Sequence, residues 1–291
     1  MIYTIENELL KVKISDVGAE MVSLYRKDND TEYLWQADPT YWAGTSPNLF
    51  PIVGRLTDGK YTYKGKTYEM LLHGFTRKMP LAVAEQTADS IRLVIRADEE
   101  TMKVYPFDFE YSVAYTLCGD TVRTEYTAAN HGENTMYFAF GSHTGYNIPL
   151  GNEGKFEDYY IQFGEGVEPA ELKMKECYIT DEVVDFKLEE NGKYHLHHDM
   201  FDNDAIVFEK TGEKVVLASD TDSRSVTVAY PDMKYVGFWH LPMTAAPYMC
   251  IEPWMSLPAY YGVIDDMEAK RDMTALKQGE SYSTYIDITV K

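Results

Sequence analysis

Large apolar side chains at every second position, repeated along most of the 291 residues, constrain this chain more than any other feature. Phe109, Tyr111, Val113, Tyr115 and Leu117 alternate with smaller or polar neighbours, Cys118-Gly119-Asp120 makes a turn, and a second run follows from Thr121 to Thr127. A strand sends successive side chains to opposite faces, so this period marks half-buried antiparallel strands rather than helices. Tyr61-Thr62-Tyr63 and Thr67-Tyr68-Glu69 flank Lys64-Gly65-Lys66 and predict a hairpin. Asp204 to Glu209 and Lys214 to Ser219 flank Thr211-Gly212-Glu213 and predict another, and Ser281 to Val290 closes the chain with a last strand. Only Glu168 to Glu176, with Pro169 near its first turn, predicts a short helix. Without strand–helix alternation a parallel sheet is disfavoured. So many strands need packed sheets to hide their edges. The expected fold is therefore all-β, one large antiparallel β-sandwich, with residues 1–291 as a single domain.

Charge narrows the partners. Asp and Glu number 47 against 27 Lys and Arg, a net charge of −20, which repels phosphate backbones and anionic lipid. Nucleic-acid and membrane partners are thus not expected, whereas one local arginine still suffices to hold a small phosphorylated ligand. Three scattered cysteines make no disulfide framework and no Cys-x-x-Cys pair. The first residues lack the basic and apolar regions of a secretory signal, and no stretch reaches the roughly 20 apolar residues of a membrane span. A cytoplasmic location is expected.

Several catalytic signatures fail. No phosphate-cradling glycine loop and no dinucleotide fingerprint occurs. In Gly141-Ser142-His143-Thr144-Gly145, histidine stands where a nucleophile elbow has serine. The seven histidines can be weighed one by one. His195, His197 and His198 crowd into a polar segment that reads as a solvated loop, His131 sits in a turn, and His240 reads as a satisfied core or cleft residue. His73, before Gly74, and His143, after the apolar run Met136 to Phe140, stand at strand ends, where a rigid sheet can aim a side chain. Glu252, in Tyr248-Met249-Cys250-Ile251-Glu252-Pro253-Trp254, is an acid inside an apolar strand. It must be paired, hydrogen-bonded or shifted in pKa, because burying it bare is costly. The structural reading of it is an ion pair with Arg55 or Arg77. Pro253 marks a strand end or edge, and Trp254 offers a face for the C–H groups of a sugar ring.

Asn48-Leu49-Phe50-Pro51-Ile52-Val53-Gly54-Arg55, then His73-Gly74-Phe75, then His143 with Tyr146-Asn147, then Glu252-Pro253-Trp254 resemble the ordered signatures of the aldose 1-epimerase (galactose mutarotase) family, and most of all its bacterial branch related to the lactose-operon mutarotase-like protein. The resemblance spans nearly the whole chain and implies the galactose mutarotase-like supersandwich. It implies Glu252 as catalytic base, His143 as catalytic acid, and His73 and Arg55 as the pair that orients the substrate. It also implies that Asp204, or its neighbours Asp202 or Asn203, grips sugar hydroxyls. No metal or redox cofactor is required by this chemistry. Two departures stand out: Thr144-Gly145 replaces the proline that follows the acid histidine, which predicts a looser segment there, and Gly54-Arg55 replaces an Asn-Arg pair.

Three functions compete. The first is an aldose 1-epimerase acting on a free hexose. The second is a hexose-6-phosphate 1-epimerase, with Arg77 in His-Gly-Phe-x-Arg on the phosphate, since arginine meets phosphate with two parallel hydrogen bonds. The third is a non-catalytic sugar-binding or regulatory protein, for which 24 tyrosines and four tryptophans serve equally well. A glycosidase is disfavoured for want of a clear carboxylate pair.

Overall fold

The computed structural model describes residues 1–151 and 154–291. Two large antiparallel sheets dominate it. One has nine strands, in the order Lys193–His195, Tyr159–Phe163, Lys214–Ser219, Val226–Ala229, Ser281–Val290, Thr121–Asn130, Phe109–Cys118, Ser90–Arg96 and Ala82–Gln86. The other runs Tyr178–Asp185, Ala170–Lys175, Ile206–Glu209, Tyr235–Trp239, Tyr248–Trp254, Gly141–Ser142 and Asn48–Leu49, with Thr144–Asn147 also on Tyr248–Trp254. A four-stranded sheet begins the chain, and the expected hairpin Lys60–Tyr63 with Lys66–Glu69 forms one of two short ribbons. The all-β antiparallel architecture expected from the alternation is what the chain adopts.

The alternation becomes burial directly. In Phe109–Cys118 the odd-numbered apolar residues are all buried, and the strand pairs with Thr121–Asn130 over ten residue pairs from Phe109↔Asn130 to Cys118↔Thr121. Their inward faces meet an aromatic core. Phe50 stacks on Tyr111 with ring centroids 4.3 Å apart and planes 4° from parallel, and Phe140 packs against Tyr111 and Tyr126. On the other side of the core Phe163 and Phe238 join the two large sheets edge to face.

Two local expectations are overturned. Residues 168–176 form no helix, because Ala170–Lys175 is a strand held between Tyr178–Asp185 and Ile206–Glu209. Its polar and apolar residues alternate as well as they space around a helix, and pairing on both sides decides for the strand. The runs at 206–209 and 214–219 are both strands, but not partners. Ile206–Glu209 pairs with Tyr235–Trp239, and Lys214–Ser219 with Tyr159–Phe163 and Val226–Ala229, so the turn at Gly212 carries the chain from one sheet to the other. Periodicity identifies a strand without naming its neighbour.

Candidate active site

The strand Tyr248–Trp254 lies inside its sheet and is buried at every residue. On one side it pairs with Tyr235–Trp239, placing Gly237 opposite Glu252. On the other it meets two short segments: Gly141 opposite Trp254, and Thr144 opposite Ile251. These two registers continue one another, so His143, between the segments, falls opposite Glu252. Pro253 has no N–H to give the ladder, and the sheet opens at this point. His143 Nε2 lies 3.3 Å from Glu252 Oε1. Glycines make the room. A Cβ at Gly237 would stand 3.1 Å from the Trp254 ring, and one at Gly141 3.0 Å from the same side chain.

Above this pair opens a cavity of about 350 Å³, within the range of small-molecule sites. Its wall contains all seven residues singled out in the sequence: Arg55, His73, Arg77, His143, Asp204, Glu252 and Trp254. Asp202 and Asn203 are not on that wall; Asp202 instead accepts a hydrogen bond from the Met243 N–H at 3.2 Å. Sequence reasoning missed Trp42, Trp239 and Cys177, which also line the cavity. Trp42 lies 4.8 Å from the His143 ring at 32°, and Trp239 meets the same ring edge-on at 5.5 Å. Trp254 itself is only 3% exposed, so the faces available to a sugar ring belong to Trp42 and Trp239.

Burial sets the protonation of the pair. Glu252 is pushed well above the ordinary carboxylate range by burial and by the nearby Asp204 charge. Burial between the two tryptophans brings His143 down to about 3. Burial thus disfavours the charged form of both groups and biases a shared proton toward the carboxyl side. The expected ion pair of Glu252 with Arg55 or Arg77 does not form: the one basic group within 4.0 Å of Glu252 among the described residues is His143. The Glu252–His143 contact lacks hydrogen-bond geometry, and both His143 Nδ1 and Trp254 Nε1 are buried without a partner.

His73 is fixed differently. Its N–H donates to the Gly54 carbonyl at 2.9 Å, and its ring Nδ1 accepts the Gly54 N–H at 3.0 Å. Nδ1 thus carries no proton, and Nε2 holds the ring's N–H. Burial and the neighbouring His143, Arg77 and Arg55 depress His73 well below the ordinary range, so it stays a neutral donor. The clamp explains Gly54: its φ is +72°, and a Cβ would come within 2.4 Å of Pro258. An asparagine does not fit here. His73 (φ 61°), Cys177 (φ 68°) and Asp204 (φ 86°) also hold left-handed backbones, at a cost of order 1–3 kcal/mol each. The Cys177 thiol is raised to about 11 by burial and by the neighbouring Asp204 carboxylate.

The segment after His143 is not loose. Thr144–Asn147 is a strand on Tyr248–Trp254, and a Cβ at Gly145 would stand 3.0 Å from Trp42. The glycine admits the tryptophan that covers His143. Outside the site, His195 belongs to a strand, with Nδ1 2.6 Å from Glu189, and His198 packs on Phe156, with Nδ1 3.1 Å from His240 Nε2. These corrections to the solvated-loop reading leave both outside the cavity. None of the described helices is long and apolar enough to cross a membrane.

Comparisons with known proteins agree with this geometry. Protein LacX of Lactococcus lactis subsp. lactis is 30% identical over 100% of this chain and 99% of its own. A galactose mutarotase related enzyme from Lactobacillus acidophilus is 36% identical, with a TM-score of 0.94 over 100% of this chain and 97% of its own. A galactose mutarotase-like protein from Lactobacillus casei is 28% identical, with a TM-score of 0.94 over the full length of both. The family model for aldose 1-epimerase matches residues 1–289, and with it the chain belongs to the aldose 1-epimerase family of isomerases.

Proposed function

We propose that the whole chain, as one domain, interconverts the α and β anomers of a hexose in the cytoplasm, with Glu252 as base and His143 as acid. The observation that carries this is the pairing of the two groups across one ladder, 3.3 Å apart at the floor of a sugar-sized cavity. Ring opening needs a proton removed from O1 and one delivered to O5, two oxygens on the same carbon. Glu252 takes the O1 proton, the C1–O5 bond breaks, C1=O1 forms, and His143 gives its proton to O5. After rotation about C1–C2 the open sugar recloses in reverse: His143 takes the O5 proton and Glu252 returns one to O1. The pair holds one proton throughout and only moves it. The form favoured in the empty site, carboxyl with neutral imidazole, is the form that accompanies the open sugar. Positioned acids and bases of this kind typically give about 10²–10⁴-fold each. His73 Nε2–H and Arg55 donate to ring and hydroxyl oxygens, and Asp204 accepts from hydroxyls.

One observation favours a phosphorylated sugar as a second reading. Arg55 and Arg77 both line the cavity, and neither forms an ion pair among the described residues; Arg77 spends Nε on the Leu72 carbonyl, 3.1 Å away. Exchange spectroscopy of anomeric protons on glucose, galactose and glucose 6-phosphate separates the readings. Faster exchange of a free hexose, lost in His143→Asn, is the expected result. Acceleration confined to the phosphate would move the assignment to the second reading, and binding without acceleration would sink the enzymatic one.

A further inference from the structure

Cys250 stands two residues before Glu252 on the same strand, and a strand brings such residues to one face. Across the ladder Glu252 faces His143 and Cys250 faces Gly145. Three corners of this cross-strand rectangle thus carry a carboxylate, an imidazole and a thiol; the fourth carries no side chain. One ligating atom from each of His143, Cys250 and Glu252 lies within 4.8 Å of the others, and among the described residues no second such group of three occurs.

We propose that the cavity floor is also a transition-metal site: His143, Cys250 and Glu252 bind a zinc-class divalent cation, and the bound ion stops the epimerase. Nitrogen, thiolate sulfur and carboxylate oxygen around zinc lie about 2.0–2.3 Å from the ion, so ligand atoms in a tetrahedral set sit about 3.3–3.6 Å apart. The His143–Glu252 separation of 3.3 Å already matches one such edge. The remaining edges, no longer than 4.8 Å, must shorten for the ion to bind. A thiolate and a carboxylate balance the dication, so the buried site ends neutral, and both the thiol proton and the carboxyl proton leave to solvent. The ion enters through the cavity, which His143 and Glu252 line, and reaches Cys250, which is fully buried and off that wall, past them. A net charge of −20 favours the approach of cations. The ion is inhibitory because its ligands are the two groups that must exchange protons with the sugar.

The inhibitory half of this proposal rests on the epimerase reading; the site itself does not. The full chain is titrated with Co²⁺, whose bond to a thiolate absorbs visibly, and separately with Zn²⁺ during anomeric exchange. Expected are a thiolate–cobalt band saturating at one equivalent, and slowing of exchange by Zn²⁺ that EDTA reverses. Both effects should survive in Cys118→Ser, which removes an exposed thiol away from the cavity. Cys250→Ala should lose the band and need at least about tenfold more Zn²⁺, equivalent to about 1.4 kcal/mol of binding. Cys250→Ser replaces it if a thermal melt shows that the alanine variant does not fold. A band that persists without Cys250, or no band in the unaltered protein, overturns the site. Unchanged Zn²⁺ sensitivity in the Cys250 variant overturns the inhibition. If no sugar is epimerised, the cobalt band still decides the site, and the failure belongs to the proposed function.

Discussion

The hairpin Phe109–Cys118 with Thr121–Asn130 and the crossing of His143 with Glu252 are built from the same kind of strand to opposite ends. The hairpin runs ten pairs without interruption, alternates cleanly, and leaves one buried polar atom of its own, the Tyr111 hydroxyl, unpartnered. The site strand Tyr248–Trp254 is buried on both faces, meets its neighbour in two short pieces, and sets the Glu252 carboxyl and the Trp254 indole N–H against the His143 imidazole, with no full complement of partners among them. Where every level of the chain agrees, stability accumulates. Where one strand breaks that agreement, chemistry becomes available, and the rest of the fold must carry the cost.

Crossed substitutions test that division. Glu252→Gln is expected to lower exchange catalysis by about 10²–10⁴-fold while leaving the melting temperature nearly unchanged, since the amide keeps a neutral group in a site that already prefers one. A variant retaining full activity would remove Glu252 as base. In the hairpin, Phe109→Ala should cost about 3–5 kcal/mol of stability by denaturant titration, with kcat kept at a temperature where the protein stays folded. A large fall in kcat there would show that the core and the site are not separable.

Smaller effects sharpen the contrast. Gly237→Ala places a methyl 3.1 Å from the Trp254 ring and 3.5 Å from the Glu252 Cβ. A shift of a few tenths of an ångström should cost less than about tenfold in kcat/KM, because a full 1 Å misplacement costs about 10²-fold. No change at all would argue that the pair tolerates displacement.

The smallest effect expected is that of pH. A solvent-exposed Glu–His pair carries a single proton only between its two ordinary pKa values, about 4.3 and 6.5. Here His143 is lowered to about 3 and Glu252 is raised, so the window in which the pair holds a single proton is widened at its acid end and moved at its alkaline end by burial of the carboxyl. Activity falls in acid as His143 takes a second proton, and in alkali as Glu252 loses the pair's only one. Between these limbs kcat/KM should vary by less than about twofold from pH 6 to 8. A sharp fall through pH 6.5 would mean that His143 titrates as an open histidine.

Much of the site was legible in the sequence because its polar residues break a strong pattern. Glu252 in an apolar strand and histidines at strand ends are visible against the alternation around them, and each of these residues lies on the cavity wall. Trp42 and Trp239 were not legible. In a chain with four tryptophans and 24 tyrosines an aromatic residue looks like core, and only tertiary contact shows two of them gripping His143. Cys177 gave no signal because its contact with Asp204 depends on two left-handed turns. The failed hairpin at 204–219 and the failed helix at 168–176 share a cause: each segment's state was set by strands far away in sequence.

The distance between His143 and Glu252 is an interstrand spacing, fixed by ladders on either side, whereas Arg77, Cys177 and Asp204 reach the cavity outside the strands. On the proposed assignment, reaction and recognition therefore sit on parts of the molecule with different freedom to vary. A descendant of this chain can exchange its sugar by rewriting connecting segments, with the proton-moving pair left untouched beneath them. The scaffold behaves as a fixed tool with interchangeable jaws.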